Sequence, residues 1–119
     1  MYTKPLILNS DIMAHFITAF LSTSSLSPKY PSISPYYEDL APFYGKLPPA
    51  LFTCGTDDPL LDDTLSMGVK WNVSGGNGVI KIYPGAAHGF IGFAREQMGI
   101  AGEAMDDTVE FIKDCLERV

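Results

Sequence analysis

Carboxylates and a histidine follow two short apolar runs of this chain. After the run Ala50 to Cys54 come Gly-Thr and four aspartates: Asp57, Asp58, Asp62 and Asp63. The second run, Val79 to Tyr83, leads into a glycine-containing loop that carries His88. A carboxylate beside an imidazole holds a general base in the tautomer that can take a proton from a hydroxyl nucleophile. Acid and base chemistry is therefore the first expectation for this chain.

The elements that must position these groups are two strands and the helix between them. Apolar runs of this length, bounded by turn residues, are typical of buried strands. A helix beginning near Pro59 and stopped by Gly75-Gly76 would connect them, with Leu61, Leu65, Gly68 and Val69 on its buried face. Because a right-handed crossover returns parallel strands to one sheet edge, the loops after both strands should meet there. The fold class predicted is α/β with parallel strands.

The two ends of the chain predict helices. Asn9 or Ser10 can cap a helix beginning at Asp11, with an apolar face. Residues 22–49 are rich in Ser, Pro and Tyr and predict an irregular connection, either a lid facing substrate or a loop pinned to the protein by its aromatic residues. After a glycine break at Gly99 to Gly102, apolar residues at steps of three and four predict the last helix: Met105, Val109, Ile112, Leu116 and Val119.

Composition excludes several classes of protein. The formal charge of −6 and a pI near 4.6 disfavour nucleic acid as a partner, since no basic stripe is present. No apolar run is long enough for a membrane span, and no signal peptide is expected. Cys54 and Cys115 are expected to be buried thiols, not a disulfide, which favours a reducing, cytoplasmic location.

The ordered set of motifs resembles a known family. The strings GTDDPLLDD and YPGAAHGF, with PSISPYYEDL and LPPALF upstream, look like the C-terminal part of the hormone-sensitive-lipase-like (fold-3) α/β-hydrolases, which are carboxylesterases and lipases. The resemblance implies that Asp58 is the triad acid, that Asp62 is a supporting group and that His88 is the general base. It implies one incomplete domain: a helix and lid or connection in residues 1–47, and strand, helix, strand, loop and helix in residues 48–119.

The sequence also departs from that family. It contains neither a Gly-x-Ser-x-Gly elbow nor a His-Gly-Gly motif. Ser74 is the nearest approach, but it lies at a predicted helix end and between the acid and the histidine, so we expect a loop residue. The hypothesis is a C-terminal piece of a longer ester hydrolase that is inactive alone, acts on a small ester when completed by an N-terminal half, and self-associates through an open strand edge.

Two alternatives stay open. The chain could be a non-catalytic binding or dimerisation module that keeps the last third of the fold. Asp57 and Asp58 could instead form an acidic pair for magnesium and phosphoryl chemistry, although Lys81 is poorly placed for it. The spacing matches no calcium loop, and we expect neither a metal nor a cofactor.

Overall fold

The structure, a computed structural model, describes residues 7–119 of the chain. Five regular elements follow one another: α1 (Ser10–Leu21), β1 (Ala50–Asp57), α2 (Leu61–Val73), β2 (Gly78–Ala87) and α3 (Gly99–Glu117). The first residues of the chain, on which the expectation about a signal peptide depends, lie outside the described part. Within residues 7–119, no helix has the length and apolar character needed to cross a membrane.

The strands β1 and β2 form a parallel two-stranded sheet, as predicted from the two apolar runs. Both strands continue further than the apolar runs indicate, to Asp57 and Ala87. The register runs without interruption from Ala50 opposite Gly78 to Gly55 opposite Tyr83 and then shifts, so that Asp57 lies opposite Ala87. This irregularity falls immediately before the residues that could carry chemistry.

Helix α2 covers one face of the sheet. Gly68 packs so closely on Ile80 that a Cβ at Gly68 would lie 2.6 Å from the Ile80 Cδ1 atom. The rings of Phe52 and Trp71 meet edge to face with 6.0 Å between centroids. The C-terminal end of α2 is joined to the start of β2 by Asn72, whose side chain donates to the Gly78 carbonyl and accepts from its N–H. The helix between the strands therefore lies where the crossover rule predicts it.

Helix α3 lies against the opposite face. Side chains alternate between the two faces of a strand, and Lys81 and Tyr83 of β2 both reach Asp107 of α3, whereas Ile80 faces α2. The core at this face consists of small and aromatic residues from β2, the following loop and α3: Tyr83, Ala86, Phe90, Ala101 and Ala104.

The glycine break predicted at Gly99 to Gly102 is wrong, because these residues form the first turn of α3. Gly102 is buried under the side chain of Arg95, whose Cγ would lie 2.6 Å from a Cβ at this position. The glycine therefore permits a close approach and does not end a helix. Arg95 reaches across it to pair with Asp106, with N–O distances of 2.9 and 2.6 Å.

The apolar stripes of α2 and α3 are largely exposed, although their helical spacing predicts buried faces. Leu65 and Val69, predicted on the buried face of α2, are 37% and 57% exposed, and on α3 Ile112 is 50% and Leu116 69% exposed. The physical reason is that a two-stranded sheet offers too little surface to cover these stripes. In the part of the chain that the structure describes, β1 pairs along one edge only, with β2.

The segment before the sheet is mostly irregular, as predicted. Asn9 caps α1, its side-chain oxygen accepting a hydrogen bond of 3.0 Å from the Ile12 N–H. Two short 3-10 turns, Pro35–Tyr37 and Ala41–Phe43, interrupt residues 22–49. Lys70 of α2 donates to backbone carbonyls of this connection, and Trp71 donates to the Pro48 carbonyl at 3.0 Å. These bonds attach the connection to α2.

Candidate active site

Asp58 and His88 meet at the carboxyl edge of the sheet. The His88 Nδ1 atom lies 2.9 Å from the Asp58 Oδ2 atom. Asp58 directly follows β1 and His88 directly follows β2, so the parallel pairing of the two strands brings these residues to the same edge. The sequence predicted this meeting from the order of strand, acid, strand and histidine.

Backbone N–H groups of the next residues bond to the carboxylate and to the carbonyl of Asp58. Asp58 is 5% exposed, and its second oxygen, Oδ1, accepts a hydrogen bond of 2.8 Å from the Leu60 N–H. The Asp58 carbonyl accepts a further bond of 3.2 Å from the Leu61 N–H, at the entrance to α2. The turn before the helix therefore aims Oδ2 at the histidine and leaves the other oxygen satisfied.

The imidazole of His88 is bonded to the carboxylate through Nδ1 and is partly open to solvent. Its side chain is 43% exposed. Because a carboxylate only accepts hydrogen bonds, the neutral ring must carry its proton on Nδ1, which leaves a lone pair on Nε2. Gly89, with φ +72, turns the backbone immediately after the histidine. An imidazole held this way keeps Nε2 unprotonated and able to accept a proton.

The end of β2, directly before His88, has a further bond to β1. The Gly85 N–H donates a hydrogen bond of 2.8 Å to the hydroxyl of Thr56. Thr56 lies at the irregularity in the strand register, two residues before Asp58. No motif in the sequence indicates this bond, because Thr56 carries no signal beyond its place at a strand end.

The other acidic residues hold different places. Asp57 ends β1 opposite Ala87. Asp62 and Asp63 stand in the first turn of α2, as the helix-dipole argument predicts. Asp62 is exposed, and no hydrogen bond or ion pair joins it to Asp58 or His88 among the described residues. Ser74 is the C-cap residue of α2, in line with the expectation of a loop position.

A cleft of about 540 Å³ opens beside the acid. It lies between α1 and the turn after β1, and its wall is mostly apolar: Ser10, Met13, Ala14, Ile17, Asp58, Pro59, Leu61 and Asp62. The sequence places the apolar face of α1 on a helix but does not indicate that this face borders the carboxylate. An apolar cleft with a few polar groups is the usual form of a small-molecule site.

The cysteines and the possible metal ligands give no sign of a further site among the residues that the structure describes. Burial raises the pKa of the Cys54 thiol, so this cysteine stays protonated and is a poor nucleophile. Both cysteines are free, and whereas Cys54 is buried as predicted, Cys115 is only half-buried. Within residues 7–119, no cluster of three or more His, Cys, Asp or Glu side chains is arranged to hold a metal ion.

Comparison with known proteins identifies the class. A family model described as alpha/beta hydrolase fold matches residues 1–92. The chain therefore belongs to the α/β-hydrolase family, and within it to the hormone-sensitive-lipase-like group that the motifs indicate. The predicted fold class is confirmed: two parallel strands with flanking helices form a fragment of this fold.

Solved esterase structures have a similar fold over part of their length. An esterase from Pyrobaculum calidifontis is 30% identical, with a TM-score of 0.76, over 95% of this chain and 36% of its own. EstE5 is 22% identical, with a TM-score of 0.79, over 92% of this chain and 34% of its own. Esterase E25 is 22% identical, with a TM-score of 0.67, over 86% of this chain and 29% of its own. The chain thus spans about a third of the length of these esterases. No curated protein matches it.

Proposed function

We propose that this chain supplies the acid and the general base of a serine carboxylic-ester hydrolase. The observation that carries the proposal is the hydrogen bond of 2.9 Å between the buried Asp58 carboxylate and His88 Nδ1 at the carboxyl edge of a parallel sheet. Membership of the α/β-hydrolase family and likeness to esterase structures support it. In this proposal Asp62 supports the acid, and residues 48–119 form the unit that carries both groups.

The chemistry follows from the arrangement. A serine hydroxyl attacks an ester carbonyl when a base removes its proton, and the lone pair on Nε2 of His88 would accept that proton. His88 then returns the proton to the leaving alcohol. Asp58 keeps the ring in the required tautomer and stabilises the imidazolium without being protonated itself.

The serine and the oxyanion hole come from polypeptide outside these 119 residues. The sequence contains no Gly-x-Ser-x-Gly elbow, and the chain spans about a third of the length of the esterases it resembles. The open edge of β1 and the exposed apolar stripes of α2 and α3 are the surfaces on which such polypeptide would pack. A short or medium neutral acyl ester suits the apolar cleft beside Asp58, and the reduced cysteines suit the cytoplasm.

A complementation assay tests this function. The purified chain is expected to leave p-nitrophenyl esters unhydrolysed. Fusing the chain behind the N-terminal two-thirds of the Pyrobaculum calidifontis esterase should restore turnover, because that part is expected to supply a serine elbow. His88→Ala should abolish turnover in the fusion, whereas His15→Ala, on exposed α1, should not. Robust turnover by the chain alone would contradict the proposal that it needs an N-terminal partner. A fusion that folds but does not hydrolyse esters would contradict the proposed ester hydrolase function.

A binding or dimerisation module is the second candidate. The exposed apolar stripes and the open strand edge favour it, because both are features of a surface that another chain covers. Such a module would form a stable complex whether or not Asp58 and His88 are intact. Equal affinity for the N-terminal esterase segment in wild type and His88→Ala, combined with no turnover in either, would favour this candidate.

A further inference from the structure

A hydrogen bond joins the strand that carries His88 to the last helix. Tyr83 of β2 is 4% exposed, and its hydroxyl donates to Asp107 Oδ2 of α3 at 2.6 Å. The other oxygen of the same carboxylate, Oδ1, lies 3.2 Å from the Lys81 ammonium. One side chain of α3 therefore holds two side chains of β2, on the face of the sheet away from α2.

The histidine loop rests on the same contacts. Ala86 and Phe90, the residues two positions before and two positions after His88, are 2% and 4% exposed. The Phe90 ring packs on the Tyr83 ring with 5.2 Å between centroids, and Ala101 and Ala104 of α3 complete the cluster. Both ends of the loop are thus fixed by packing against Tyr83 and α3.

The imidazole has little else to hold it. Its side chain is 43% exposed, and within the described residues the hydrogen bond to Asp58 is the single polar contact of the ring. Asp58 is held by the backbone at Leu60, a group outside the aromatic cluster. The distance between acid and base therefore depends on where the backbone at His88 lies relative to β1. The pairing of Ala87 with Asp57 and the bond from Gly85 to Thr56 hold this backbone from the β1 side, and the Tyr83 cluster holds it from the α3 side.

We infer that Tyr83 and Asp107 are positioning residues for the acid–base pair: their hydrogen bond fixes α3 against β2 and so holds His88 in register with Asp58. Neither residue touches the reacting atoms. The importance of the pair for catalysis rests on the proposed function, but the positioning itself is a property of this chain and is measurable without a substrate.

The experiment measures the tautomer of His88 by NMR of the ring nitrogens in the full 119-residue chain at neutral pH. The variants are Tyr83→Phe, which removes only the hydroxyl, and Asp107→Asn, which removes the charge and keeps the shape. The matched control is Asp106→Asn, the neighbouring carboxylate of α3, which pairs with Arg95 and not with β2. His15 on α1 is an internal reference. Amide signals of β1 and α2 report whether each variant keeps its fold.

The expected result has three parts. Wild type and Asp106→Asn show His88 with its proton on Nδ1. Tyr83→Phe keeps the fold but lowers the ratio of the Nδ1–H to the Nε2–H tautomer by up to about tenfold, the limit reached when the displaced ring loses its hydrogen bond to the charged Asp58. Asp107→Asn lowers the ratio less, because the Asn amide oxygen still accepts from the Tyr83 hydroxyl. The Nδ1 proton also exchanges faster with solvent in these two variants.

Different failures have different meanings. A His88 tautomer unchanged in both folded variants would overturn the positioning role and leave the proposed function intact. Loss of fold in both variants would also overturn it, since the bond would then serve stability alone. A wild-type chain without the Nδ1–H tautomer would contradict the acid–base pair itself, and with it the proposed function.

Discussion

Gly55 and Ala86 lie so close together that a Cβ on Gly55 would be 1.9 Å from the Ala86 carbonyl oxygen. The contact coincides with the register shift after which Asp57 lies opposite Ala87. Asp58 and His88 are the first residues after the two strands. The absence of a side chain at Gly55 is therefore what lets the two strand ends approach closely enough for an acid and a base to meet.

Gly55→Ala should push the strand ends apart. The clash is with backbone, which cannot rotate away, so we expect a loss of about 2 kcal/mol or more in the free energy of unfolding, at the upper end for overpacking. Urea denaturation measures this loss, and the ring-nitrogen signals of His88 should show the Asp58 bond weakened.

Gly92→Ala is the matched control for that substitution. An added Cβ at Gly92 meets no atom within 4 Å. We expect a change within about 0.5 kcal/mol, as for ordinary surface positions. Equal stability of Gly55→Ala and Gly92→Ala would show that the strands can separate without cost.

Asp58→Asn should reverse the preferred tautomer of His88. The amide can present an N–H to the ring, so Nδ1 becomes the acceptor and Nε2 carries the proton, which is the wrong form for a general base. In the esterase fusion described above, we expect kcat to fall by on the order of 10⁴-fold with little change in KM. Asp62→Asn changes an exposed carboxylate in the first turn of α2 and should lower kcat far less. Similar losses of kcat in Asp58→Asn and Asp62→Asn would show that Asp58 is not the acid of the pair.

The phenol of Tyr83 should make the chain lose stability in alkali. Burial, and then the hydrogen bond to Asp107, raise the pKa of Tyr83 above its ordinary value. The unfolded chain therefore loses the phenolic proton first, at about pH 10, and stability falls as the pH rises from there towards the folded pKa. Urea midpoints should decline more steeply above about pH 10 in wild type than in Tyr83→Phe. The same decline of the urea midpoint with pH in wild type and Tyr83→Phe would contradict a raised pKa of the Tyr83 phenol.

Asp107 should make the chain lose stability in acid. The hydrogen bond from Tyr83, and then that from Lys81, lower the pKa of Asp107. Stability from this carboxylate is therefore complete above the unfolded pKa of about 3.9 and is lost as the pH falls through the folded pKa. Asp107→Asn should lack this part of the acid-induced loss. An identical acid limb in wild type and variant would show that the carboxylate gains nothing on folding.

The exposed stripe of α3 should drive self-association of the isolated chain. Ile112 is 50% exposed on a face whose apolar neighbours are exposed too. Ile112→Glu should therefore shift sedimentation towards the monomer at micromolar concentration. Lys113→Gln makes the same change in net charge at the adjacent position and should leave association as in wild type. A monomeric wild-type chain would show that the exposed apolar faces do not drive self-association.

The sequence by itself determined the strands, the crossover helix and the meeting of Asp58 with His88. These follow from local rules: apolar runs bounded by turn residues, one helix between them, and the single hand of the crossover. The N-cap at Asn9 and the acidic first turn of α2 were equally local, since the groups involved lie within one turn of helix.

Only the tertiary structure decided which apolar faces are buried and what holds the histidine loop. Val69 and Leu116 follow the same helical spacing as core residues. Their burial depends on whether another element lies opposite them, and the spacing of apolar residues along the sequence does not show this. The same holds for the approach of Ala86 to Gly55, the bond of Tyr83 to Asp107 and the side chain of Arg95 over Gly102. Each joins residues far apart in the chain or on different elements, so each exists only once the sheet and α3 have packed together.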